Sequence, residues 1–245
     1  PIVNSANSML DSIDEAGEQA TKAKLDLLEA QLHRNEAERY ALQGQINPHF
    51  LFNTLQCIRA LAIAHQAEDV ASITNAMADL TRYAISSGDR VTLGDEVDII
   101  KKYLGIIDVR YQQRITYRID VPGDLLRISC IKMMLQPLVE NAVTHGLSML
   151  PQGGEVRISA RLVEGDALVE VCDNGRGISP ETLRELHQTL GMELVDLLKD
   201  SRHRSYGLYN IHRRMQITYG KKYGLNIITE SGWTKLTLKL PIHYS

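Results

Sequence analysis

The sequence lacks an excess of charge of either sign. Its 27 lysine and arginine residues stand against 30 aspartate and glutamate residues, which gives a formal net charge of -3. Proteins that bind nucleic acid or an anionic membrane surface through their overall charge are usually strongly basic. We therefore expect no nucleic-acid partner.

Cysteine is scarce as well. The three cysteines, Cys57, Cys130 and Cys172, are odd in number and widely spaced. This pattern argues against a disulfide framework and against a zinc cluster. We expect reduced, mostly buried thiols of a cytosolic protein.

Long hydrophobic runs are also missing. No stretch of about 20 apolar residues is present to span a bilayer, and no basic-then-apolar leader opens the chain. We expect the printed chain to be soluble. Because its first residue is Pro1 and not Met, we expect it to be a piece of a longer protein, whose upstream part could include membrane spans.

The apolar content is high enough for a core, since 44% of the 245 residues are hydrophobic, and one large domain or two ordinary ones are possible. Residues 1–40 are rich in Ala, Glu, Gln, Leu and Lys, which predicts a helix. Leu25, Leu28 and Leu32 follow the spacing of a weak heptad stripe that could pair two chains. The alternative is a solitary amphipathic helix packed on its own domain.

From Leu42 to Ile85 the pattern stays helical and apolar. A break near residues 66–69 predicts the turn of a helical hairpin. Two such hairpins, one from each of two chains, would form a four-helix bundle, so we expect a homodimer. A further helix is predicted from about Asp95 to Gln112.

From Arg114 onward the periodicity changes to two, which indicates strands with one buried face. Alternating apolar residues predict strands at residues 115–121, 156–162 and 235–240. Helices that would cover the buried face are predicted at about 129–146, 180–190 and 208–219. The predicted fold class is α+β, with a helical region followed by an α/β sandwich whose sheet is mixed or antiparallel and with a boundary near residue 90.

One stretch, GQINPHFLFNTL at residues 44–55, holds the only two phenylalanines of the chain beside His49. Pro48 lacks an amide proton and would clash with a carbonyl one turn back inside a helix. Either Asn47 caps a new helix with Pro48 at its first position, or a helix bends there. Taken alone, His49 is most simply a packed helix histidine.

The segment LQPLVENAVTHGL, residues 135–147, predicts a helix with Asn141 and His145 four residues apart on one face. An amide oxygen is a ligand of the kind that Mg2+ accepts together with phosphates and waters. Glu140 could act as a base or orient a water. The alternatives are a structural Asn141, an exposed Glu140 and a His145 that caps its own helix end.

The segment VEVCDNGRGI, residues 169–178, predicts an apolar strand that ends at Asp173. A carboxylate there could accept a hydrogen bond from an exocyclic amine such as that of adenine. Gly175 and Gly177 allow backbone conformations closed to other residues, and so a tight turn that a ligand can approach. The alternative is a plain turn between a strand and a helix.

The segment SYGLYNIHRRM, residues 205–215, places Gly207 at the start of a predicted helix. Free amides at a helix N-terminus favour phosphate oxygens. Residues 191–204 could form a lid over a nucleotide, with Arg202 and Arg204 in reach of its phosphates. Exposed basic residues near a loop are, however, usually only solvated.

Together, in this order and spacing, the three segments resemble the N, G1 and G2 boxes of the histidine-kinase ATPase fold, which sensor kinases share with type II topoisomerases, mismatch-repair ATPases and some chaperones. With NPHFLFN upstream, the resemblance narrows to the sensor histidine kinases of the LytS/YesM-like group and covers about residues 40–240. It implies a signalling helix or coiled-coil linker at 1–40, a helical dimerisation and phospho-acceptor domain at 41–90, and a catalytic ATP-binding domain at 91–245.

The resemblance also implies roles for single residues. His49 would be the phospho-acceptor, and Asn53, one helical turn later, could serve in dephosphorylating the partner. Asn141 would be the Mg2+ ligand, with Glu140 as a possible base. The implied ATP-binding residues are Asn141, His145, Asp173, Gly175, Gly177, Gly207 and Leu208.

The implied function is that of the cytoplasmic region of a bacterial membrane sensor. In a homodimer, ATP and Mg2+ would support autophosphorylation of His49, followed by transfer to an aspartate of a response-regulator receiver domain. The sequence departs from better-known relatives at Phe50, where they carry an acid, and at Ser205, where many carry a glycine. The alternatives are a dimeric scaffold with weak or no activity and an ATPase of the same superfamily that performs conformational work.

Overall fold

The computed structural model describes residues 48–148, 150–192, 206–230 and 232–243. The chain divides into two compact units, Pro1–Asn53 and Thr54–Ser245. The predicted coiled coil at 1–40 lies outside the described residues, and so does most of the predicted lid. The division into domains at residues 40 and 90 stays a prediction.

The two helices of the predicted hairpin are present. Helix α1 (Pro48–Ala64) and helix α2 (Glu68–Ile85) are joined by a short turn, in which the Ala67 N–H donates to the Ala62 carbonyl at 2.8 Å. Pro48 is the first helical residue of α1, a position where its missing N–H costs nothing. Whether Asn47 caps this helix or a bend precedes it lies outside the described residues.

Helix α3 (Leu93–Arg110) follows a short strand, β1 (Arg90–Thr92). Thr92 and Asp95 form a reciprocal capping box at its start, which satisfies two otherwise unpaired amides. The structure begins this helix two residues before the predicted position. Its apolar side chains are buried in the core, with Leu93, Ile100 and Leu104 fully inaccessible.

Strand β1 pairs antiparallel with β3 (Ser129–Ile131), with Val91 opposite Cys130. The predicted helix at 129–146 is therefore wrong at its start. The Ser-Cys-Ile segment is extended because its backbone hydrogen bonds go to β1, a long-range pairing that leaves no trace in local periodicity. A single 3-10 turn, Leu125–Arg127, precedes β3.

A five-stranded sheet forms the centre of the second unit. Its strands are β2 (Ile115–Asp120), β4 (Gly154–Val163), β5 (Asp166–Asp173), β6 (Gly224–Glu230) and β7 (Trp233–Pro241). Their order is β2-β4-β5-β7-β6, with β2 and β4 parallel and every other pair antiparallel. This mixed sheet confirms the predicted class.

Helices cover one face of the sheet. They are α4 (Gln136–Asn141), a π-helical turn (Ala142–Leu147), α5 (Pro180–Gly191) and α6 (Tyr206–Tyr219). Alternate residues of the strands and the inner faces of α3, α4 and α6 share one core, as expected for an α+β sandwich. The helices predicted at 180–190 and 208–219 are confirmed within two residues. None of the helices among the described residues is long and apolar enough to cross a membrane.

Candidate nucleotide-binding site

The site is built around Asp173, the last residue of β5. The side chain is almost completely buried, with 2% of the residue exposed, and Oδ1 accepts the N–H of Gly175 at 3.0 Å. Burial raises the pKa of Asp173 to about 6, and the Gly175 hydrogen bond acts in the opposite direction. The pairing of β5 with β7 places Thr234, also buried, directly opposite this carboxyl group.

Two glycines allow other backbone segments to touch the buried carboxyl group. A Cβ atom placed on Gly146 would lie 2.3 Å from Oδ1 of Asp173, and one placed on Gly175 would lie 2.4 Å from the Gly146 carbonyl oxygen. The Arg176 N–H donates to that same carbonyl at 3.2 Å. Any larger residue at either glycine would have to push the two segments apart.

Helix α4 and the π turn after it form one wall. Asn141 ends α4, and the ladder then widens, as the bond from the Ser148 N–H to the Val143 carbonyl shows. The predicted continuous helix is thus an α-helix that continues as a π turn. Glu140 accepts a hydrogen bond from Gln136 Nε2 at 2.8 Å, which fixes its carboxylate.

The opposite wall comes from the loop after β5 and from α5. Gly177 has a φ of +73°, a conformation that side-chain-bearing residues rarely adopt. Ser179 caps α5 by accepting the Thr182 N–H at 3.2 Å. This cap fixes the direction in which α5 leaves the loop, so that Thr182 and Glu185 face the site.

These elements enclose a cavity of about 870 Å³, a size that suits a small-molecule ligand. Seven residues predicted from the sequence line it: Glu140, Asn141, His145, Asp173, Gly177, Gly207 and Leu208. Gly175 lies beside them through its bond to Asp173. Gly207 is exposed near the start of α6, and Leu208 is buried beneath it.

The two residues predicted for phosphoryl chemistry, His49 and Asn53, belong to the other compact unit. Both lie on helix α1, four residues apart, and Asn53 is exposed. The residues of the candidate nucleotide site therefore all lie in the second unit, and His49 and Asn53 lie in the first.

Several residues of the cavity do not emerge from the sequence analysis. Among them are Gly146, Thr182, Glu185 and Thr234. Of these four, only Gly146 had a local signal, because it belongs to the segment that already contains Asn141 and His145. Thr234 is brought in by the register of β7 against β5, which the sequence does not reveal.

Comparison with known proteins finds a family match for each of the two parts of the chain. The profile described as "Histidine kinase" matches residues 37–115, and the profile described as "Histidine kinase-, DNA gyrase B-, and HSP90-like ATPase" matches residues 128–244. Sensor histidine kinase YesM of Bacillus subtilis (strain 168) is 34% identical over 216 residues, which cover 87% of this chain and 35% of YesM. The chain belongs to the sensor histidine kinases.

Two further sensor kinases support the assignment to the LytS/YesM-like group. Sensor histidine kinase BtsS of Escherichia coli (strain K12) is 33% identical and covers 84% of this chain and 34% of its own length. Sensor protein kinase HptS of Staphylococcus aureus (strain USA300) is 30% identical and covers 82% of this chain and 38% of its own length. The chain spans about a third of the length of these relatives.

Among solved structures, the histidine kinase domain of the Erythrobacter litoralis EL346 blue-light activated histidine kinase aligns with a TM-score of 0.44 and 16% identity. The alignment covers 79% of this chain and 96% of that domain. In the present chain, every residue that lines the cavity lies within residues 128–244, the range that matches the ATPase profile. This supports the use of ATP at this site.

Proposed function

We propose that this chain is the cytoplasmic region of a bacterial membrane sensor, which phosphorylates itself on His49 with ATP and then passes the phosphoryl group to an aspartate of a response regulator. The observation that carries the proposal is the cavity with the buried Asp173 at its floor, inside the ATPase match. The acceptor segment of the same chain lies inside the histidine kinase match.

The nucleotide would be held from two sides. The carboxylate of Asp173 would accept a hydrogen bond from the exocyclic amine of adenine. Guanine presents no such donor at the same ring position. Gly146 and Gly175 keep the backbone close to this carboxylate. At the other side, α6 is 14 residues long and begins beside the cavity, so its free N-terminal amides and dipole favour phosphate oxygens.

Asn141 offers an amide oxygen on the wall formed by α4. A single ligand of this kind fits Mg2+, which takes most of its ligands from phosphates and water and few from protein. Within the described residues there is no group of three or more His, Cys, Asp or Glu side chains that could hold a metal. Mg2+ would neutralise charge on the phosphates during transfer.

In the transfer step, a ring nitrogen of His49 attacks the γ-phosphorus. The new nitrogen–phosphorus bond forms as the bond to the bridging oxygen breaks, ADP leaves, and the proton on the other ring nitrogen passes to a base. A neutral imidazole is a competent nucleophile near pH 7. Glu140, held in place by Gln136, is the proposed base. Phosphohistidine is energy-rich, which suits a relay to an aspartate.

Asn53 lies one helical turn after His49 on α1, on the same face. An amide at this position could orient a water for hydrolysis of the phosphorylated partner. We therefore propose that Asn53 supports a phosphatase activity toward the response regulator. If an Asn53→Ala variant still autophosphorylates and dephosphorylates the response regulator at the wild-type rate, this role is contradicted.

The helical hairpin would form the dimer. It exposes large apolar side chains that its own unit leaves uncovered, namely Ile58, Leu61, Ile63, Val70 and Met77. Patches of this kind mark protein–protein contacts, and two antiparallel hairpins bury such stripes as a four-helix bundle.

The deciding experiment is incubation with radiolabelled ATP and Mg2+, followed by a test for a label that acid removes and base does not. We expect His49→Ala to abolish the label and His65→Ala, at an exposed histidine in the hairpin turn, to retain it. Asn141→Asp should abolish the label separately. A retained label in His49→Ala contradicts the assignment, and an unlabelled wild-type protein favours the scaffold alternative.

A further inference from the structure

The turn that leads into α4 is held by a buried carboxylate. Glu96 of α3 is 1% exposed and accepts the N–H of Met133 at 2.6 Å and the N–H of Leu135 at 2.9 Å. Amides two residues apart that converge on one anion form a backbone nest. Met133 has a φ of +59°, a strained conformation that costs about 1 kcal/mol or more, and the two bonds to Glu96 compensate for it.

Helix α2 contributes a third donor to the same carboxylate. The hydroxyl of Tyr83, in the last turn of α2, donates to Oε1 of Glu96. Burial of the ring, and next the carboxylate of Glu96, raise the pKa of Tyr83, so the hydroxyl keeps its proton and stays a donor. Glu96 thus joins the end of the hairpin to the turn before the nucleotide helix.

Three further hydrogen bonds fasten the same turn. Lys132 Nζ donates to the carbonyl of Ser86 at 2.5 Å and to its hydroxyl at 2.9 Å, and Ser86 is the residue that ends α2. Arg214 of α6 donates to the Lys132 carbonyl at 2.8 Å. Elements α2, α3 and α6 therefore converge on the residues that precede α4.

The position of this turn decides the position of Asn141. Helix α4 begins directly after this turn and reaches Asn141 after six residues, so a shift of the turn is transmitted to Asn141 through fewer than two helical turns. A displacement of about 1 Å at a catalytic ligand is enough to reduce a rate strongly.

We propose that Glu96 is a positioning residue for Asn141, and that Tyr83 makes this positioning depend on the placement of helix α2. The proposal rests on the proposed function, because it assigns Glu96 to the metal-bearing side of the ATP site. Movement of helix α2 would then change the affinity for Mg2+-ATP through the turn before α4, and helix α2 itself need not contact the nucleotide.

The first test measures binding of a fluorescent ATP analogue, with Mg2+ and with EDTA, to Glu96→Gln. The amide of glutamine would turn a donor toward one of the two backbone N–H groups. An unsatisfied buried donor is costly, so the turn should shift to relieve it and move Asn141 with it. We therefore expect the affinity for the Mg2+ complex to fall by about tenfold. Binding in EDTA, which depends on Asp173, should stay within about twofold, and a merely structural role would not produce such a difference between the two conditions.

The second test uses Tyr83→Phe, which removes only the hydroxyl group. Its matched control is Tyr223→Phe, because Tyr223 donates to Asp166 at 3.1 Å in a second tyrosine–carboxylate pair. Both variants should lose similar stability in urea unfolding. Only Tyr83→Phe should weaken the Mg2+ complex, by about threefold, as expected for loss of one hydrogen bond.

The proposal is overturned if Glu96→Gln and Tyr83→Phe weaken binding equally with Mg2+ and with EDTA, or if neither changes it. It is also overturned if Tyr223→Phe matches Tyr83→Phe. Because these measurements need only nucleotide binding, a wild-type protein that binds Mg2+-ATP but never labels His49 contradicts the proposed phosphotransfer and leaves the test of Glu96 decisive.

Discussion

The pKa of the Asp173 carboxyl group lies close to physiological pH. Burial raises its pKa to about 6, while contact with an exocyclic amine requires the ionised form as acceptor. We expect the affinity for an ATP analogue to fall as the pH decreases from 7.5 to 5.5, by up to about tenfold per pH unit below the pKa. Asp173→Asn should bind weakly at every pH, and an unchanged affinity of the wild-type protein at pH 5.5 contradicts the expectation.

The same residue should lower the stability of the nucleotide-free protein. A carboxyl group whose folded-state pKa lies above its unfolded value of 3.8 favours folding below that unfolded value, and this contribution is lost as the pH rises through about 6. At pH 8 the ionised Asp173 therefore costs up to about 3 kcal/mol.

We expect Asp173→Asn to raise the free energy of urea unfolding at pH 8, and to raise it much less at pH 4. The amide oxygen of asparagine can still accept the Gly175 N–H, so the loop should remain in place. Lower stability of the variant at pH 8 would show that the ionised carboxylate is not a burden to the fold. A binding residue that weakens its own fold is typical of functional sites.

At the scale of elements, the π turn and the loop after β5 fit together only because Gly146 has no side chain. We expect Gly146→Ala to destabilise the protein by about 1–3 kcal/mol and to abolish nucleotide binding. The matched control is Gly105→Ala in α3, where a Cβ atom would meet nothing within 4 Å. It should stabilise the helix by about 0.5–1 kcal/mol. Thermal unfolding and nucleotide titration measure both effects, and equal behaviour of the two variants refutes the packing argument.

The elements differ in how far the sequence predicts them. The strands around Ile119 and Leu238 follow from alternation, because each buries one face, and α5 and α6 follow from helical spacing. The pairing of β1 with β3 and the widening of the helix after Asn141 do not, because both are decided by partners distant in the chain. Asp173 is predicted because its motif is local in the sequence. Thr234 and Glu96 are not predicted, because their roles depend on partners distant in the chain.

At the scale of the whole molecule, the exposed apolar side chains of the hairpin predict association. Leu61 is 62% exposed, so a charge there should cost the monomer little. We expect Leu61→Asp to convert a dimer into a monomer in light scattering. Leu162→Asp, at a strand residue that is 59% exposed, should leave the dimer intact. A monomeric wild-type protein, or dissociation by both variants, contradicts dimerisation through the hairpin.

The register of β5 against β7 has a consequence for how the kinase acquires its site. Asp173 and Thr234 are directly paired, yet 61 positions separate them (234 minus 173), and α5 and α6 lie between. A contact of such sequence separation closes a long loop and forms late in folding. The hairpin strands β6 and β7, by contrast, are neighbours in the chain. A nascent chain would therefore hold most of its local structure before it could bind ATP, and binding competence would mark the completion of the sheet.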